Sequence, residues 1–319
     1  MSLLDGGHAL KAFYSDRFVL PLPPGHRFPM TKYARLREAV ERELPEVVLQ
    51  EAPAAADAQL LLAHDPGYLR RVVTGGLSAA EQRLIGFPWS VEMVERSRRS
   101  VGATLAACAA AAGDGVAVNL AGGTHHAQRE RGQGYCVFND VAIAALAQCD
   151  AEPSAKVAIV DLDVHQGDGT AAIVGGTDRI FALSLHGERN YPARKVDGHL
   201  DVGLPDGTGD AAYLAALDDA LATMLARFAP TFLVFLAGAD PHEGDRLGRL
   251  RLSFDGLRAR DERVFALALR LRVPVAVTMA GGYGREIDAT VRVHLDTVRS
   301  ASAHWRRCRA ASAEETQVG

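Results

Sequence analysis

The segment IVDLDVHQGD, residues 159–168, sets Asp161, Asp163 and His165 at every second position. On an extended strand alternate side chains share a face. Two carboxylates and an imidazole would then project together from the end of an apolar run. Such a group can hold a divalent cation. A cap or ion pair at a strand terminus is the plainer reading of any single aspartate. Three such groups leaving a buried run are costly without a cation. Gly167-Asp168-Gly169-Thr170-Ala171-Ala172 also fits the G-x-G-x-x-A pattern of a dinucleotide site. The aspartates and histidine at that turn would put negative charge where a pyrophosphate must lie, so a dinucleotide is not expected.

Three further clusters carry chemistry. His125 and His126, in AGGTHHA, suit a pair of proton-transfer groups. Two structural histidines or a second metal site are the alternatives. Asp240, ending FLAGAD, could complete a tripod with Asp163 and His165. Three protein ligands and one open position describe a catalytic metal site. Tyr283, in GGYG, would place a phenol at the mouth of the site. Taken alone, it reads as a packing residue.

Each cluster follows an apolar run that reads as a buried strand: 115–120, 156–164, 179–186, 231–240 and 273–284. Helix-length segments lie between them, at 91–112, 139–148, 210–228 and 256–271. This order predicts a single α/β domain, a parallel sheet sandwiched by helices. Ligands of such sheets bind outside the carboxyl ends of the strands, so the clusters should converge. Residues 1–35 read as irregular, followed by a helix from Tyr33 that ends at Pro45. A short helix is expected around His64 and Tyr68, a turn at 85–90, a long loop from 186 to Gly209, and a frayed tail after Arg307.

The chain has 319 residues, 48% hydrophobic and 23% charged, and a net charge of -4. This composition suits a globular protein and excludes a strongly basic nucleic-acid binder. No apolar run approaches the roughly 20 residues that span a bilayer. The first residues lack a charged-then-apolar signal pattern. Cys108, Cys136, Cys149 and Cys308 are far apart, with no C-x-x-C pair. A reduced, cytoplasmic setting is the expectation.

Together AGGTHHA, GYCVFND, DLDVHQGDGT, SLH, GAD and AGGYG resemble the histone deacetylase family of the arginase–deacetylase fold, from about Pro29 to Val298. The run 243–265, EGDRLGRLRLSFDGLRARDERVF, most resembles the class IV branch. The resemblance implies a zinc-dependent deacylase acting on Nε-acyl-lysine, with Asp163, His165 and Asp240 as zinc ligands. It implies His125 and His126 as catalytic histidines, partnered by Asp161 and Asp168 respectively. Asp168 should make His126 more basic. Tyr283 would hydrogen-bond the substrate carbonyl. Gly134, Tyr135, Tyr191, Leu247 and Gly282 would line the acyl-lysine tunnel. A structural potassium ion would involve Asp161, Asp163 and Ser184, with the carbonyls of His165 and Leu185. Iron(II) could replace zinc.

The chain also departs from its relatives. The loop IGFPWS, 85–90, has no acid to clamp a peptide backbone, and Leu247 stands where polyamine deacetylases carry an acid. An apolar rim would suit acyl-lysine, including longer acyl chains. Lys32 is expected at the base of an acetate-release channel, and His242 could ligate a second metal. Cys136 reads as core. His64, His186, His199 and His294 read as loop or surface histidines. Arg96, Arg98, Arg99, Arg258, Arg260 and Arg263 read as solvated helix faces. The expected partner is an acyl-lysine peptide or protein, or a small acylated amine. Neither nucleic acid nor membrane is expected, and no particular oligomeric state is implied. A small-molecule amidohydrolase and a non-catalytic acyl-group binder are the alternatives.

Overall fold

The computed structural model describes residues 9–318, with side chains through Ala311. Its strands are β1 (Lys11–Tyr14), β2 (Val48–Glu51), β3 (Val116–Asn119), β4 (Val157–Asp161), β5 (Ile180–Gly187), β6 (Leu200–Leu204), β7 (Phe232–Leu236) and β8 (Val275–Thr278). Its helices are α1 (Thr31–Glu43), α2 (Asp57–Leu60), α3 (Pro66–Thr74), α4 (Ala79–Ile85), α5 (Val91–Asp114), α6 (Asp140–Ala151), α7 (Asp168–Val174), α8 (Asp210–Arg227), α9 (Phe254–Leu271) and α10 (Ile287–Val318). The strands form one eight-stranded sheet in the order β2-β1-β3-β8-β7-β4-β5-β6. Every pairing is parallel.

The apolar runs follow from this architecture. Along β4, Ala158 and Val160 enter one buried core with α1, α8, α9 and α10. Val157 and Ile159 enter a second core with α3, α5 and α6 on the opposite face. A strand covered on both faces has no polar side. Because all strands run one way, β3, β8, β7, β4 and β5 deliver their motifs to the same edge.

Several elements differ from expectation. β1 lies in the segment expected to be irregular, and β6 within the expected long loop. Both β2 and β6 are edge strands of mixed polarity. α4 lies in a stretch for which no element is expected and begins with a Ser78–Glu81 capping box; the turn expected at 85–90 follows it. α10 extends past Arg307 through Val318; its last turns are rich in Ala and Glu and contain no Gly or Pro before Gly319. Among the described residues, no helix is long and apolar enough to cross a membrane.

Some polar residues expected at the surface are buried. Arg96 donates to the carbonyls of Ser15 and Phe18 and stacks over Tyr33, anchoring the N-terminal segment. Arg260 is fully buried and pairs with Asp261. His64, His186 and His294 are also buried.

The His64 ring sits against Tyr68 and Phe138. Its Nδ1 faces the Gln128 carbonyl at 3.0 Å, and its Nε2 accepts from Asn139 N–H at 2.9 Å. These bonds require a neutral ring, and burial pushes its pKa down to about 4. The unfolded chain therefore binds the proton more readily, so this stabilisation is complete above pH 6.5 and declines toward pH 4. The stability gap between the wild type and His64→Leu should narrow over that range by up to about 3 kcal/mol in urea unfolding. A gap independent of pH would contradict this.

Candidate active site

β4 stops at Asp161, so Asp163 and His165 lie on the loop beyond it rather than on one face of a strand. The three residues accordingly do not act as a single alternating set. Asp161 Oδ2 turns to His125 Nδ1 at 2.7 Å, while its Oδ1 accepts from Asp163 N–H. Asp163 and His165 instead join Asp240 from the end of β7. Their candidate ligand atoms lie within 4.8 Å of one another, the one such group found among the described residues.

The group is built to be approached closely. Asp240 Oδ1 accepts from Val164 N–H at 2.9 Å. Its Oδ2 is 3.2 Å from His165 Nδ1 yet has no hydrogen bond, because that ring nitrogen engages Asp163 Oδ1 at 2.9 Å. Asp163 Oδ2 accepts from Gly281 N–H at 2.7 Å. A Cβ at Gly281 would lie 1.9 Å from Asp240 Oδ2, so only glycine lets the backbone pass there. Arg260 braces the opposite side, donating to the carbonyl of Gly238 at 2.6 Å. Burial and the neighbouring Asp163 carboxylate push Asp240 up to about 7. A buried, unpartnered carboxylate oxygen beside a second carboxylate and an imidazole fits a divalent cation. His242, by contrast, accepts from Gly244 N–H and packs on Phe254, outside this group.

His125 and His126 follow β3, with ring centroids 4.2 Å apart. His126 Nδ1 meets Asp168 Oδ1 at 2.7 Å. Burial disfavours the His125 cation, but Asp161 and Asp163 outweigh it and raise its pKa to about 9. Burial and the positive His125 push His126 down to about 4. Asp168 does raise His126, as expected, yet the net shift is downward. The other Asp168 oxygen is engaged by Gln128 and Gln133, and burial wins. These opposite shifts favour charge on His125 over charge on His126.

These groups face a cavity of about 380 Å³. Gly134, Tyr135, Tyr191, Leu247 and Tyr283 all line it, while Gly282 lies behind it against His294. A Cβ at Gly134 would meet the His126 ring at 2.7 Å, so this wall depends on glycine. Tyr191 stands edge-on to His126 at 4.8 Å. Tyr135 stacks on Phe87 and leans toward Tyr283. Tyr283 is buried, and burial raises its phenol pKa well above the ordinary value, so it stays a donor. Its N–H donates to Asp245 at 2.6 Å. Lys32 is buried beneath this loop, 3.3 Å from the carbonyls of Ala280 and Gly282. Ser184 is the register partner of Asp161 on the adjoining strand, and Leu185 follows it.

Residues 26–298 match the model of the histone deacetylase domain. The chain belongs to the histone deacetylase family. It is 40% identical to an uncharacterized protein of Picosynechococcus, over 90% of this chain and 97% of that one. It is 31% identical to a histone deacetylase-like amidohydrolase of Pseudomonas aeruginosa, covering 93% of this chain and 83% of the relative. It is 30% identical to histone deacetylase 2 of Arabidopsis thaliana, covering 87% and 74% respectively. The crystal structure of an HDAC homolog complexed with SAHA superposes with a TM-score of 0.78 at 24% identity, covering 92% of this chain and 84% of that one. The fold is thus the arginase–deacetylase fold expected from the motifs.

Several residues of this deacetylase-family site escaped the sequence reading. Phe28 and Tyr33 line the cavity from the N-terminal segment, and Arg189 and Arg249 reach its mouth. Proline-rich sequence concealed Phe28, Tyr33 reads simply as the start of a helix, and nothing local distinguishes Arg189 and Arg249 from other surface arginines. Gly281→Ala should weaken divalent-metal binding by about tenfold or more, measured by competition with a chelator. Unchanged affinity would contradict the close packing described at Asp240.

Proposed function

We propose that this chain hydrolyses the amide of Nε-acyl-lysine, with Asp163, His165 and Asp240 holding one zinc ion. The observation that carries this reading is the meeting of three elements at one cavity, which Asp163 and His165 line with Asp240 directly behind them. The elements are the carboxylate–imidazole tripod, two histidines each backed by an aspartate, and a buried phenol. Zinc held there would supply acidification of water and polarisation of an amide carbonyl; iron(II) suits the same donors.

The chain's own groups do the rest. His126, neutral and held by Asp168 at Nδ1, can take a proton from water at Nε2 and return it to the leaving amine. His125, held cationic by Asp161, offers charge and a hydrogen bond to the developing oxyanion. Tyr283 donates to the same oxygen. Gly134, Tyr135 and Tyr191 exclude water along the acyl-lysine stem, with Leu247 at the rim and Gly282 shaping the Tyr283 loop. The products are a free amine and a carboxylate.

Asp161 and Ser184, paired across β4 and β5, would contribute to a potassium site with Asp163 and the carbonyls of His165 and Leu185. The run 243–265 supports placement near the class IV branch, and the four cysteines, none in a disulfide, suit the cytoplasm. A second reading, hydrolysis of a small acylated metabolite, is favoured by one observation. The wall formed by Phe28, Phe87 and Tyr135 carries no acid to clamp a peptide.

Acyl-lysine peptides from acetyl to myristoyl should be turned over in a metal-dependent way. Tyr283→Phe should lower kcat by about 10²-fold or more. Metal-loaded protein inert toward every chain length, or Tyr283→Phe with full activity, would contradict this function.

A further inference from the structure

The cavity mouth carries a charge pattern that the chemistry above does not use. Asp163 is the one carboxylate among the residues lining the cavity, and it lies deep within the metal group. Two exposed arginines, Arg189 and Arg249, also line the cavity. Their side chains are 71% and 53% exposed. Among the described residues Arg189 pairs with its neighbour Glu188 at 3.7 Å, and Arg249 with Asp206 at 2.9 Å. Exposed pairs of this kind contribute little and can be exchanged for another anion.

The two arginines are held on one wall. Asn190, buried between them, donates from Nδ2 to the Leu247 carbonyl at 2.8 Å and accepts from Arg249 N–H at 3.2 Å. Lys195 Nζ donates to the carbonyls of Asn190 and Pro192 at 2.6 and 2.7 Å, fixing the same turn from behind. The protein as a whole carries a net charge of -4. Each arginine keeps an exposed carboxylate neighbour, Glu188 or Asp206, so this wall can take up an anion by exchanging those pairs rather than through net positive charge.

Building on the deacylase reading, we propose that this mouth selects acylated amines bearing an anionic group beside the scissile amide, and that Arg189 and Arg249 recognise that anion. The anion can be an acidic residue flanking acyl-lysine in a peptide, or the carboxylate of a small acylated amino acid. Both present the same chemistry to the two guanidinium groups.

The test uses two matched pairs of substrates with the acyl chain that turns over best. One pair is acyl-lysine peptides flanked by Glu or by Lys. The other is Nα-acetyl-Nε-acyl-lysine as the free acid or as the neutral methylamide. The kcat/KM ratio within a pair should favour the anionic member by about tenfold at low salt, and the preference should shrink near about 0.5 M salt. A preference confined to the peptide pair assigns the anion to a flanking residue; one confined to the small pair assigns it to an acylated amino acid. Arg189→Glu with Arg249→Glu should invert the ratio, which a general loss of folding would not do. The same reversal at Arg270, exposed late in α9, should leave the ratio as it is. Ratios at or below one in both pairs, or a ratio that survives the double reversal, would overturn the inference while leaving the deacylase reading standing. No turnover of any of the four substrates would overturn both.

Discussion

Three carboxylates are buried together at the strand ends: Asp161, Asp163 and Asp240 are 3%, 1% and 0% exposed. Buried like charges are expensive unless paired, hydrogen-bonded or bound to a cation. Each aspartate resolves this differently. Asp161 is committed to His125, and Asp163 to backbone N–H groups and His165. Asp240 retains an oxygen with no hydrogen bond. That one unmet demand marks where a divalent cation would fit. It also explains why Gly281, Gly238 and Arg260 surround it with backbone and positive charge.

The catalytic loop is held by a separate polar scaffold. Asp140, at the start of α6, accepts from Gly123 N–H, Thr124 N–H and the Thr124 and Thr104 hydroxyls. Asn139 caps the same helix, donates to the carbonyls of His125 and Ala127, and is itself held by His64. The two histidines therefore sit on a backbone fixed from below by buried hydrogen bonds, which are strong and intolerant of partial satisfaction. Functional geometry rests on α6 and on His64, just ahead of α3, well behind the cavity wall.

Much of this is legible in the sequence, because a doubly covered parallel sheet writes its strands as apolar runs and its site as the polar residues that end them. β3, β4, β5, β7 and β8 are visible for that reason, and so are His125, His126, Asp163, His165, Asp240 and Tyr283. β2 and β6 are not, since an edge strand with one wet face resembles a loop. The alternation of Asp161, Asp163 and His165 suggests a shared face, yet the strand ends at Asp161 and the loop separates their roles. His64, Arg96 and Arg260 look like surface residues because their burial depends on carbonyls far away in the chain. The relative basicity of His125 and His126 depends on burial and mutual repulsion, which neighbouring letters do not encode.

The central claim is that the buried tripod needs a divalent ion. Metal content and thermal unfolding, measured on protein as purified, after chelation and after zinc is restored, test it most directly. The account predicts about one divalent ion per chain, a lower Tm after chelation and recovery with zinc, since a ligand bound only by the native state stabilises it. Asp240→Asn should remove that response. A chelated protein as stable as the loaded one, or a zinc response undiminished in Asp240→Asn, would contradict the account.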